Sequence, residues 1–331
     1  MNISFLGAGR WGMTLALLLD RKGHKVKMWE KNEARLQRLV ATRVVPDLPE
    51  TSRVPDSLTI SGQLPEVVAG AEIEILALPT QALRENLDLL RGALSGGPIV
   101  LSVMKGIEIG TRKRVTEIIR EYLPRVRIAA LTGPGIPYDV AAGDPTSLVV
   151  AAPVETDAQV IRDAFAAENL RIYSSNDLVG AELGGALKNV MAIAAGISDG
   201  IGLGINAKSA LITRGLYEMT RLGICLGANP MTFAGLSGIG DLIVTAFSPK
   251  SRNHQFGMAI AQGKTIVETI ASLSGVAEGY YTCQAAYELA NRYNIELPIT
   301  TELHRILYDS ERPQDSIKRL LSRSLKSESW N

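Results

Sequence analysis

A single lysine, Lys188, lies in the middle of the run ELGGALKNVMAIAAGISDG, residues 182–200, whose other members are nearly all small or apolar. On a helix, the face that carries Lys188 otherwise carries short side chains. These are Gly184, Ala192, Ala195 and Asp199, with Gly185 and Gly196 beside them. Each glycine costs a helix about 1 kcal/mol relative to alanine. We therefore expect the glycines to make room for a planar ring or a substrate, and Lys188 to project into that room.

Two interpretations of Lys188 follow from this pattern. A lysine that is partly removed from water has a lowered pKa and exchanges a proton near neutral pH, which suits an acid–base catalyst. Alternatively, the glycines serve close helix packing, and the ammonium group reaches water along its alkyl chain. A nucleotide-binding fingerprint elsewhere in the chain favours the catalytic interpretation.

A second polar cluster lies in the segment GIGDLIVTAFSPKSRNHQFG, which carries Asp241 and the triplet Ser251-Arg252-Asn253. The triplet falls at a predicted helix start, where free amides and a guanidinium fork suit a phosphate group. The alternative is a capping serine followed by an exposed arginine. Further along, GVAEGYYT places Glu278 in a predicted glycine-flanked loop.

The fingerprint is the hexapeptide GAGRWG, residues 7–12, which follows a strand-like run and opens a helical one. In the dinucleotide-binding pattern GxGxxG, Gly7 makes the turn, Gly9 lets a pyrophosphate approach the backbone, and Gly12 lets helix and strand pack closely. The amides of the helix N-terminus then bind the phosphates. A glycine-rich turn without a ligand is the alternative, and the strand–turn–helix context argues against it.

Glu30 ends the second predicted strand, and Lys31 follows it. A carboxylate at this place accepts hydrogen bonds from the ribose hydroxyls of NAD and repels the 2′-phosphate of NADP. Lys31 could instead hold that phosphate, and both residues could also be solvated charges in a turn. The pair favours NAD slightly over NADP.

Two more loops follow predicted strands that end at one edge of a parallel sheet, where open α/β folds bind their ligands. The loop SVMKG places Lys105 at this edge, and LTGPG supplies the rigid turn Gly133-Pro134-Gly135 with free backbone amides. A surface lysine is the common alternative for Lys105. Its catalytic interpretation therefore depends on Lys188.

The first half of the chain alternates strand-like and helical runs, which predicts a parallel sheet with crossover helices. The predicted strands are residues 2–6, 25–29, 73–78, 99–103, 128–131, 147–152 and 171–173. From about Asp177 helical runs dominate, with Asn206 as the expected N-cap of one helix and Pro230 as an early residue of another. We predict an α/β chain with an N-terminal Rossmann-type doubly wound sheet, residues 1–178, and an all-helical C-terminal domain for substrate and catalysis, residues 179–331.

Composition narrows the function further. With 35 basic and 34 acidic residues the net charge is +1, so no basic field indicates nucleic acid or an anionic membrane, and an anionic substrate needs a local site. Cys225 and Cys283 have no metal-ligand spacing, so neither a metal site nor a disulfide framework is predicted. The start MNISFLGAGRWG lacks a signal-peptide pattern, and no run of about 18 apolar residues occurs, so we expect a cytoplasmic protein without a membrane span.

Taken together, these motifs resemble the bacterial NAD(P)-dependent glycerol-3-phosphate dehydrogenases over nearly the whole chain. The resemblance rests on GAGRWG, SVMKG, TGPG, GGALKNVMAIAAGISDGIGLGINAKSALITRGLYEM, GLSGIGDLIVT, SRNHQFG and EGYYT. The lysine helix and the GDLI…SRN block are far more specific to that family than GxGxxG. The resemblance implies reversible hydride transfer between NAD(P)H and dihydroxyacetone phosphate, giving sn-glycerol 3-phosphate for phospholipid synthesis, in a site between a Rossmann domain and a helical domain.

The resemblance also implies roles for individual residues. Lys188 is the general acid/base, Lys105 supports the same charge, and Asp241 orients both lysines. The implied substrate-binding positions are Lys105, Gly133, Gly135, Lys188, Asp241, Ser251, Arg252 and Asn253. The implied cofactor-binding positions are Gly7, Gly9, Arg10, Trp11, Gly12, Glu30, Lys31, Lys105, Pro137, Arg252, Val276 and Glu278. In the implied mechanism the nicotinamide delivers hydride to the C2 carbonyl carbon, Lys188 donates the proton, and Arg252 with Asn253 clamps the phosphate. We also expect a homodimer.

The chain departs from the family at one turn, where Gly-Pro-Ser or Gly-Pro-Thr followed by Phe-Ala is usual and Gly133-Pro134-Gly135-Ile136-Pro137 stands here. A substrate-side hydroxyl is therefore missing at position 135. Glu30-Lys31 also replaces a pair that more often ends in arginine or histidine. Two rival functions stay open: a related β-hydroxyacid dehydrogenase, which uses a similar lysine helix on a small carboxylate, and a non-catalytic dinucleotide-sensing protein, which needs the Rossmann half alone.

Overall fold

A computed structural model describes residues 1–94, 97–273, 275–324 and 328. The strands in these residues are β1 (Asn2–Leu6), β2 (Lys25–Trp29), β3 (Thr59–Ser61), β4 (Ile73–Leu76), β5 (Ile99–Ser102), β6 (Arg127–Thr132), β7 (Thr146–Ala151) and β8 (Leu170–Ser175). All predicted strands are confirmed to within about two residues at their ends. The structure adds β3, whose three residues are too few for a periodic pattern to show.

The strands form one sheet in the order β3-β2-β1-β4-β5-β6-β7-β8. Neighbours pair in parallel except β6 and β7, which are antiparallel. The prediction of a parallel sheet is therefore wrong at this pair. The helix between them, Pro137–Ala142, has six residues and rises only about 9 Å, whereas β7 extends roughly 20 Å. It is too short to return the chain along the sheet, so β7 runs back directly.

Helices follow most strands in the first half and make up the second half, apart from connecting segments, in the described residues. They are α1 (Arg10–Arg21), α2 (Glu33–Thr42), α3 (Leu64–Val68), α4 (Leu83–Arg91), α5 (Val115–Tyr122), α6 (Pro137–Ala142), α7 (Glu155–Phe165), α8 (Leu178–Gly200), α9 (Ile205–Cys225), α10 (Pro230–Phe233), α11 (Asp241–Phe247), α12 (Arg252–Ala261), α13 (Ile266–Ser272), α14 (Glu278–Tyr293), α15 (Pro298–Tyr308) and α16 (Pro313–Leu321). A 3₁₀ turn, Thr80–Ala82, precedes α4, and a π-helical segment, Leu236–Gly240, precedes α11.

Two predicted helix starts have different outcomes. Pro230 is the first residue of α10, as expected. Asn206 is not the N-cap of α9, because that helix already begins at Ile205 and Gly204 occupies the capping position with an extended backbone. The N-cap needs that extended conformation, and Gly204, which adopts it, lies two residues before Asn206.

The helix α8 is the centre of the second half. It packs against α9, α11, α12 and α14, and it also contacts β6. By length and composition alone, Leu178–Gly200 and Pro230–Phe247 could each cross a membrane, but 83% of the apolar window of the first is buried inside the protein. An apolar helix buried in this way is typical of a protein core. The two segments lack an unbroken apolar run because they carry Lys188 and Asp241.

The chain leaves β1 toward β2 and β3 and returns to β4 on the other side of β1. This reversal creates a crevice beyond the carboxyl ends of β1 and β4, the usual ligand site of an open α/β sheet. The parallel strands β5 and β6 end at the same edge. The loops after β1, β4, β5 and β6 therefore face the helical half, which contacts β6 through α8.

Candidate active site

The turn between β1 and α1 is closed on one side and open on the other. Gly7 has φ +101°, and a Cβ there would lie 2.6 Å from the carbonyl oxygen of Ala77. A Cβ on Gly12 would lie 2.6 Å from the carbonyl oxygen of Gly7, whereas a Cβ on Gly9 would meet nothing within 4 Å. Gly9 is the N-cap of α1, and no side chain caps it. Gly7 and Gly12 thus serve the turn and the packing, as predicted, and Gly9 opens the helix N-terminus to a ligand.

Trp11 covers the turn that follows β6. A Cβ on Gly135 would lie 2.8 Å from Cη2 of the indole, so a larger residue cannot fit there without displacing the ring. The position that lacks the usual hydroxyl is therefore occupied in part by Trp11. The indole Nε1–H is buried and has no hydrogen-bond partner in the described part of the chain. Pro137 begins α6 nearby, and its carbonyl accepts a hydrogen bond from Thr14 at 3.3 Å.

Lys105 and Lys188 share one carboxylate. Lys188 Nζ donates to Asp241 Oδ1 at 2.8 Å and to Thr245 Oγ1 at 2.6 Å. Lys105 Nζ donates to Asp241 Oδ2 at 2.6 Å and to the carbonyl oxygen of Gly133 at 3.0 Å. The lysines come from α8 and from the loop after β5, and Asp241 begins α11. The structure thus brings the three predicted catalytic residues together.

Burial determines the protonation of Lys188, whose exposed fraction is 6%. Removal from water lowers the pKa of Lys188 to about 8; the charge of Asp241 opposes this change, and the charges of Lys105 and Arg252 add to it. A lysine with such a pKa is present in both protonation states near neutral pH, which suits a group that gives and takes a proton. The interpretation in which Lys188 reaches water is wrong, because Asp241 and Thr245 enclose its ammonium group.

Two of the three glycines around Lys188 make room for the protein's own backbone. A Cβ on Gly184 would overlap the carbonyl oxygen of Ser237, and a Cβ on Gly196 would overlap that of His254. Gly185 faces the alkyl chain of Lys105, whose Cγ would lie 3.5 Å from a Cβ. The prediction that the glycines leave space for a ring or a substrate is therefore wrong for Gly184 and Gly196, whereas a Cβ on Gly185 would make only ordinary contacts with side chains. Gly184 and Gly196 let the π-helical segment and α12 approach α8 closely, and this approach brings Asp241 and the start of α12 near Lys188.

Two polar residues of this cluster, Asn189 and Thr245, have no motif of their own. Asn189 donates to the carbonyl oxygen of Lys105 at 2.9 Å and accepts from the side-chain amide of Asn253 at 2.8 Å. Asn253 in turn accepts from the backbone amide of Gly279 at 3.0 Å. Spacing is the signal that could have found them, since Thr245 stands one helical turn after Asp241 and Asn189 directly follows Lys188.

The predicted helix start at Ser251-Arg252-Asn253 is confirmed, because α12 begins at Arg252. Ser251 accepts from the amide of His254 and caps the helix, so the capping alternative holds for this serine. Arg252 is largely buried and makes no hydrogen bond or ion pair with the described residues. Burial lowers the pKa of Arg252 to about 10, and the charge of Arg10 adds to this effect. The alternative interpretation, in which Arg252 is exposed, is therefore wrong.

Glu278 is the first residue of α14, so its predicted place in a loop is wrong. Its Oε1 accepts from the amide of Thr80 at 2.8 Å, and its Oε2 is buried without a partner in the described residues. Burial raises the pKa of Glu278, and the hydrogen bond from the backbone amide of Thr80 and the charge of Arg252 oppose the rise. Val276, two residues earlier, is half-buried. Glu278 thus joins the loop after β4 to the helical half.

Glu30 and Lys31 lie at the end of β2 and have partners of their own. Glu30 is 5% exposed; it accepts from the amide of Asn32 at 2.8 Å and from Arg35 Nη1 at 3.3 Å. Lys31 pairs with Glu85 at 3.3 Å, and both side chains are exposed. The alternative in which both residues are solvated charges in a turn therefore holds for Lys31 and is wrong for Glu30. Arg10, at the start of α1, pairs with Asp47 at 3.5 Å.

The residues at this edge of the sheet fit a dinucleotide. The N-terminus of α1 is uncapped and open above Gly9, which suits a pyrophosphate. Two buried polar atoms, Trp11 Nε1 and Glu278 Oε2, have no partner in the described residues and offer a donor and an acceptor. Arg252 supplies a guanidinium that makes no hydrogen bond or ion pair with the described residues. The crevice can hold a cofactor beside the two lysines.

Comparison with known proteins gives one family for both halves. The family model of the NAD-dependent glycerol-3-phosphate dehydrogenase N-terminus matches residues 2–158, and that of the C-terminus matches residues 177–318. The chain is 42% identical to the glycerol-3-phosphate dehydrogenase (NAD(P)+) of Thermoanaerobacter sp. (strain X514) over 99% of both chains. It is 43% identical to that of Geobacillus thermodenitrificans (strain NG80-2), over 99% of this chain and 96% of the relative.

A solved structure agrees with these sequence matches. The fold is similar to that of glycerol-3-phosphate dehydrogenase from Coxiella burnetii, with a TM-score of 0.92 and 34% identity. The similarity covers 97% of this chain and 98% of the other.

Proposed function

Because this chain belongs to the NAD-dependent glycerol-3-phosphate dehydrogenase family, we propose that it interconverts dihydroxyacetone phosphate and sn-glycerol 3-phosphate with NAD(P)H. The observation that carries this function is the buried group of Lys105, Asp241 and Lys188 beside the unpaired Arg252. Two ammonium groups and a guanidinium in one cleft suit a substrate that has a carbonyl to protonate and a phosphate to bind.

Proton transfer is assigned to Lys188. A bound nicotinamide supplies the hydride that reduces C2 of the substrate. Lys188, as an ammonium ion, hydrogen-bonds the C2 oxygen and gives it a proton; in the reverse direction the neutral amine takes the proton back. Lys105 places a second positive charge near the developing negative charge on that oxygen. Asp241 holds each lysine with one carboxylate oxygen, at 2.6 and 2.8 Å, and so fixes the spacing of the two ammonium groups.

Phosphate binding is assigned to the start of α12. Arg252 supplies a guanidinium fork, and the oriented amides of the helix N-terminus add to it. Asn253 already uses its carbonyl oxygen for Gly279 and one N–H for Asn189, so only its other N–H is available to the substrate. Ser251 and Gly133 would contribute to substrate binding by fixing the backbone geometry of the site. Gly135 has no side chain with which to contact the substrate.

Cofactor binding is assigned to the crevice at β1 and β4. The uncapped start of α1, with Gly7, Gly9 and Gly12, would hold the pyrophosphate. The other contributing residues would be Arg10, Trp11, Glu30, Lys31, Lys105, Pro137, Arg252, Val276 and Glu278. We expect NADH to be preferred over NADPH by less than about tenfold, because Arg35 offsets much of the charge with which Glu30 would repel a 2′-phosphate.

The wider organisation is part of the same proposal. The domain boundary lies at residues 178 and 179, near the start of α8 and in keeping with family matches that end at 158 and resume at 177. The protein acts as a homodimer in the cytoplasm and supplies glycerol phosphate for phospholipid synthesis. A net charge of +1 supports a small-molecule substrate over a nucleic acid or stable membrane insertion.

The test is the oxidation of NADH and NADPH by the purified protein with dihydroxyacetone phosphate, compared with small keto acids such as pyruvate. We expect turnover of the phosphorylated substrate, with kcat/KM about 10–100-fold above that of the keto acids because Arg252 has no phosphate to bind in them. Turnover of a keto acid alone would favour a β-hydroxyacid dehydrogenase. Cofactor binding without any turnover would favour a dinucleotide sensor.

A further inference from the structure

Three charged residues lie where β2 ends and α2 begins. Glu30 is the buried member, with an exposed fraction of 5%. Arg35 lies in the first turn of α2, and its side chain is 50% exposed beside Glu30, with Nη1 3.3 Å from Oε2. Lys31 lies between them in sequence but turns to Glu85. The arrangement differs from an isolated carboxylate at the end of a strand, which was the basis of the predicted preference for NAD.

The carboxylate of Glu30 is already in use. Its Oε1 accepts from the amide of Asn32, and its Oε2 accepts from the guanidinium of Arg35. A carboxylate that accepts a hydrogen bond from a guanidinium repels a nearby anion less than a free carboxylate does. Glu30 therefore does not exclude a phosphate from this place as strongly as its sequence position suggests.

We propose that Arg35 is the residue that admits NADP, by binding the 2′-phosphate from the end of β2 where Glu30 holds its guanidinium. The proposal rests on the dinucleotide site proposed above and specifies its adenosine end. One guanidinium offers five N–H donors, so Arg35 can keep a hydrogen bond to Glu30 and still donate to phosphate oxygens. The pair of opposite charges thereby allows both cofactors, with Glu30 for ribose hydroxyls and Arg35 for a phosphate.

Lys31 is the weaker candidate for the same phosphate. Its ammonium group pairs with Glu85 at 3.3 Å, and both side chains are more than half exposed, at 56% and 62%. An exposed pair of this kind is screened by water and salt, and a lysine offers a point charge without the planar fork that matches a phosphate. We expect Lys31→Gln to weaken phosphate binding by about threefold at most.

The decisive measurement is calorimetric binding of two ligands that differ only in the 2′-phosphate, 2′,5′-ADP and 5′-AMP, to the full-length protein. Arg35→Gln should weaken binding of 2′,5′-ADP by about tenfold, since a charge-assisted hydrogen bond is lost at a half-exposed site and the charge of Glu30 is uncovered. Binding of 5′-AMP should weaken by less than about threefold. Arg38→Gln is the matched control, because it removes the same charge from the exposed surface of the same helix, and it should change neither affinity.

Glu30→Gln should change the affinity for 2′,5′-ADP in the direction opposite to that of Arg35→Gln. A glutamine still accepts from the amide of Asn32 but releases Arg35 from an ion pair, so affinity for 2′,5′-ADP should rise several-fold. If Arg35→Gln leaves 2′,5′-ADP binding unchanged, or weakens both ligands equally, the proposal is wrong. Turnover of dihydroxyacetone phosphate with NADH by the wild type and by Arg38→Gln tests the function separately, and its absence would reject the function while leaving the binding result to stand.

Discussion

Lys188 and Arg252 are two cations near one cleft, and the structure holds them in different ways. Burial lowers the pKa of both, to about 8 for Lys188 and about 10 for Arg252. Lys188 has two side-chain partners, Asp241 and Thr245. Arg252 has no hydrogen bond or ion pair with the described residues.

The difference separates two chemical tasks. A buried charge is costly unless it is paired, and Asp241 meets that cost for Lys188 before any ligand binds. The lysine is therefore fixed in place and ready to transfer a proton. For Arg252 the charges of Glu278 and Asp47 offset this cost only in part and no carboxylate of the described residues pairs with it directly, so the free energy of pairing is gained when an anion binds. A paired cation suits catalysis, and an unpaired one suits recognition of a phosphate.

Lys188→Ala should have the largest effect on turnover. Loss of acid–base catalysis is expected to lower kcat by about 10²–10⁴-fold, and by more if charge stabilisation is lost as well. Cofactor binding, followed by NADH fluorescence, should change little. The fold should tolerate the change, because Asp241 keeps its ion pair with Lys105. Turnover near that of the wild type would reject the mechanism.

Arg252→Ala should have the next largest effect and should depend on the phosphate. A desolvated charge-assisted pair contributes roughly 1.5–3 kcal/mol, so kcat/KM for dihydroxyacetone phosphate should fall about 10–100-fold. Arg252→Lys should recover part of this loss, since lysine keeps the charge but not the fork.

Unphosphorylated dihydroxyacetone is the control substrate for Arg252. The wild type should turn it over poorly, and Arg252→Ala should barely worsen that weak reaction. An equal loss with both substrates would mean that Arg252 serves the cofactor or the fold, and the comparison with Lys188 would fail.

The pairing of these cations shows how far the sequence could predict the site. The strands, the turn at Gly7 and the helix start at Arg252 depend on local patterns, and all three are confirmed. Asp241 lies 136 residues from Lys105 and 53 from Lys188 along the chain. No local pattern indicates that its two oxygens bind one lysine each, and only the resemblance placed the three residues in one site.

The glycines of α8 mark the limit of local reasoning. The stripe of small residues correctly indicates that something approaches the helix closely. It does not say what approaches, and the structure places the carbonyl groups of Ser237 and His254 there. The same limit applies to Glu30, because its ion pair with Arg35 depends on the side-chain geometry of a turn.

The pH dependence should follow the pKa of Lys188 and have opposite sign in the two directions. Reduction of dihydroxyacetone phosphate needs the ammonium form, so its kcat/KM, which reports the free enzyme, should fall as pH rises through about 8, by about tenfold per unit. Oxidation of glycerol 3-phosphate needs the neutral amine, so its kcat/KM should rise over the same interval and then level off. Parallel profiles in both directions would mean that another group sets the rate.

Thr245→Val should have the smallest effect on turnover at neutral pH and the most specific effect on the profile. The hydroxyl oxygen of Thr245 accepts from the ammonium group of Lys188 at 2.6 Å and so favours the charged form. Valine has nearly the same shape but no acceptor, so the pKa of Lys188 should fall further, by about one unit at most. The descending limb of kcat/KM for reduction should move to lower pH by that amount, while the plateau value changes only a few-fold. Thr220→Val is the matched control, since Thr220 is also buried in the helical half and its hydroxyl donates to the carbonyl of Leu216. A limb that stays in place in Thr245→Val, or that moves equally in the control, would mean that the partners of Lys188 position it without setting its pKa.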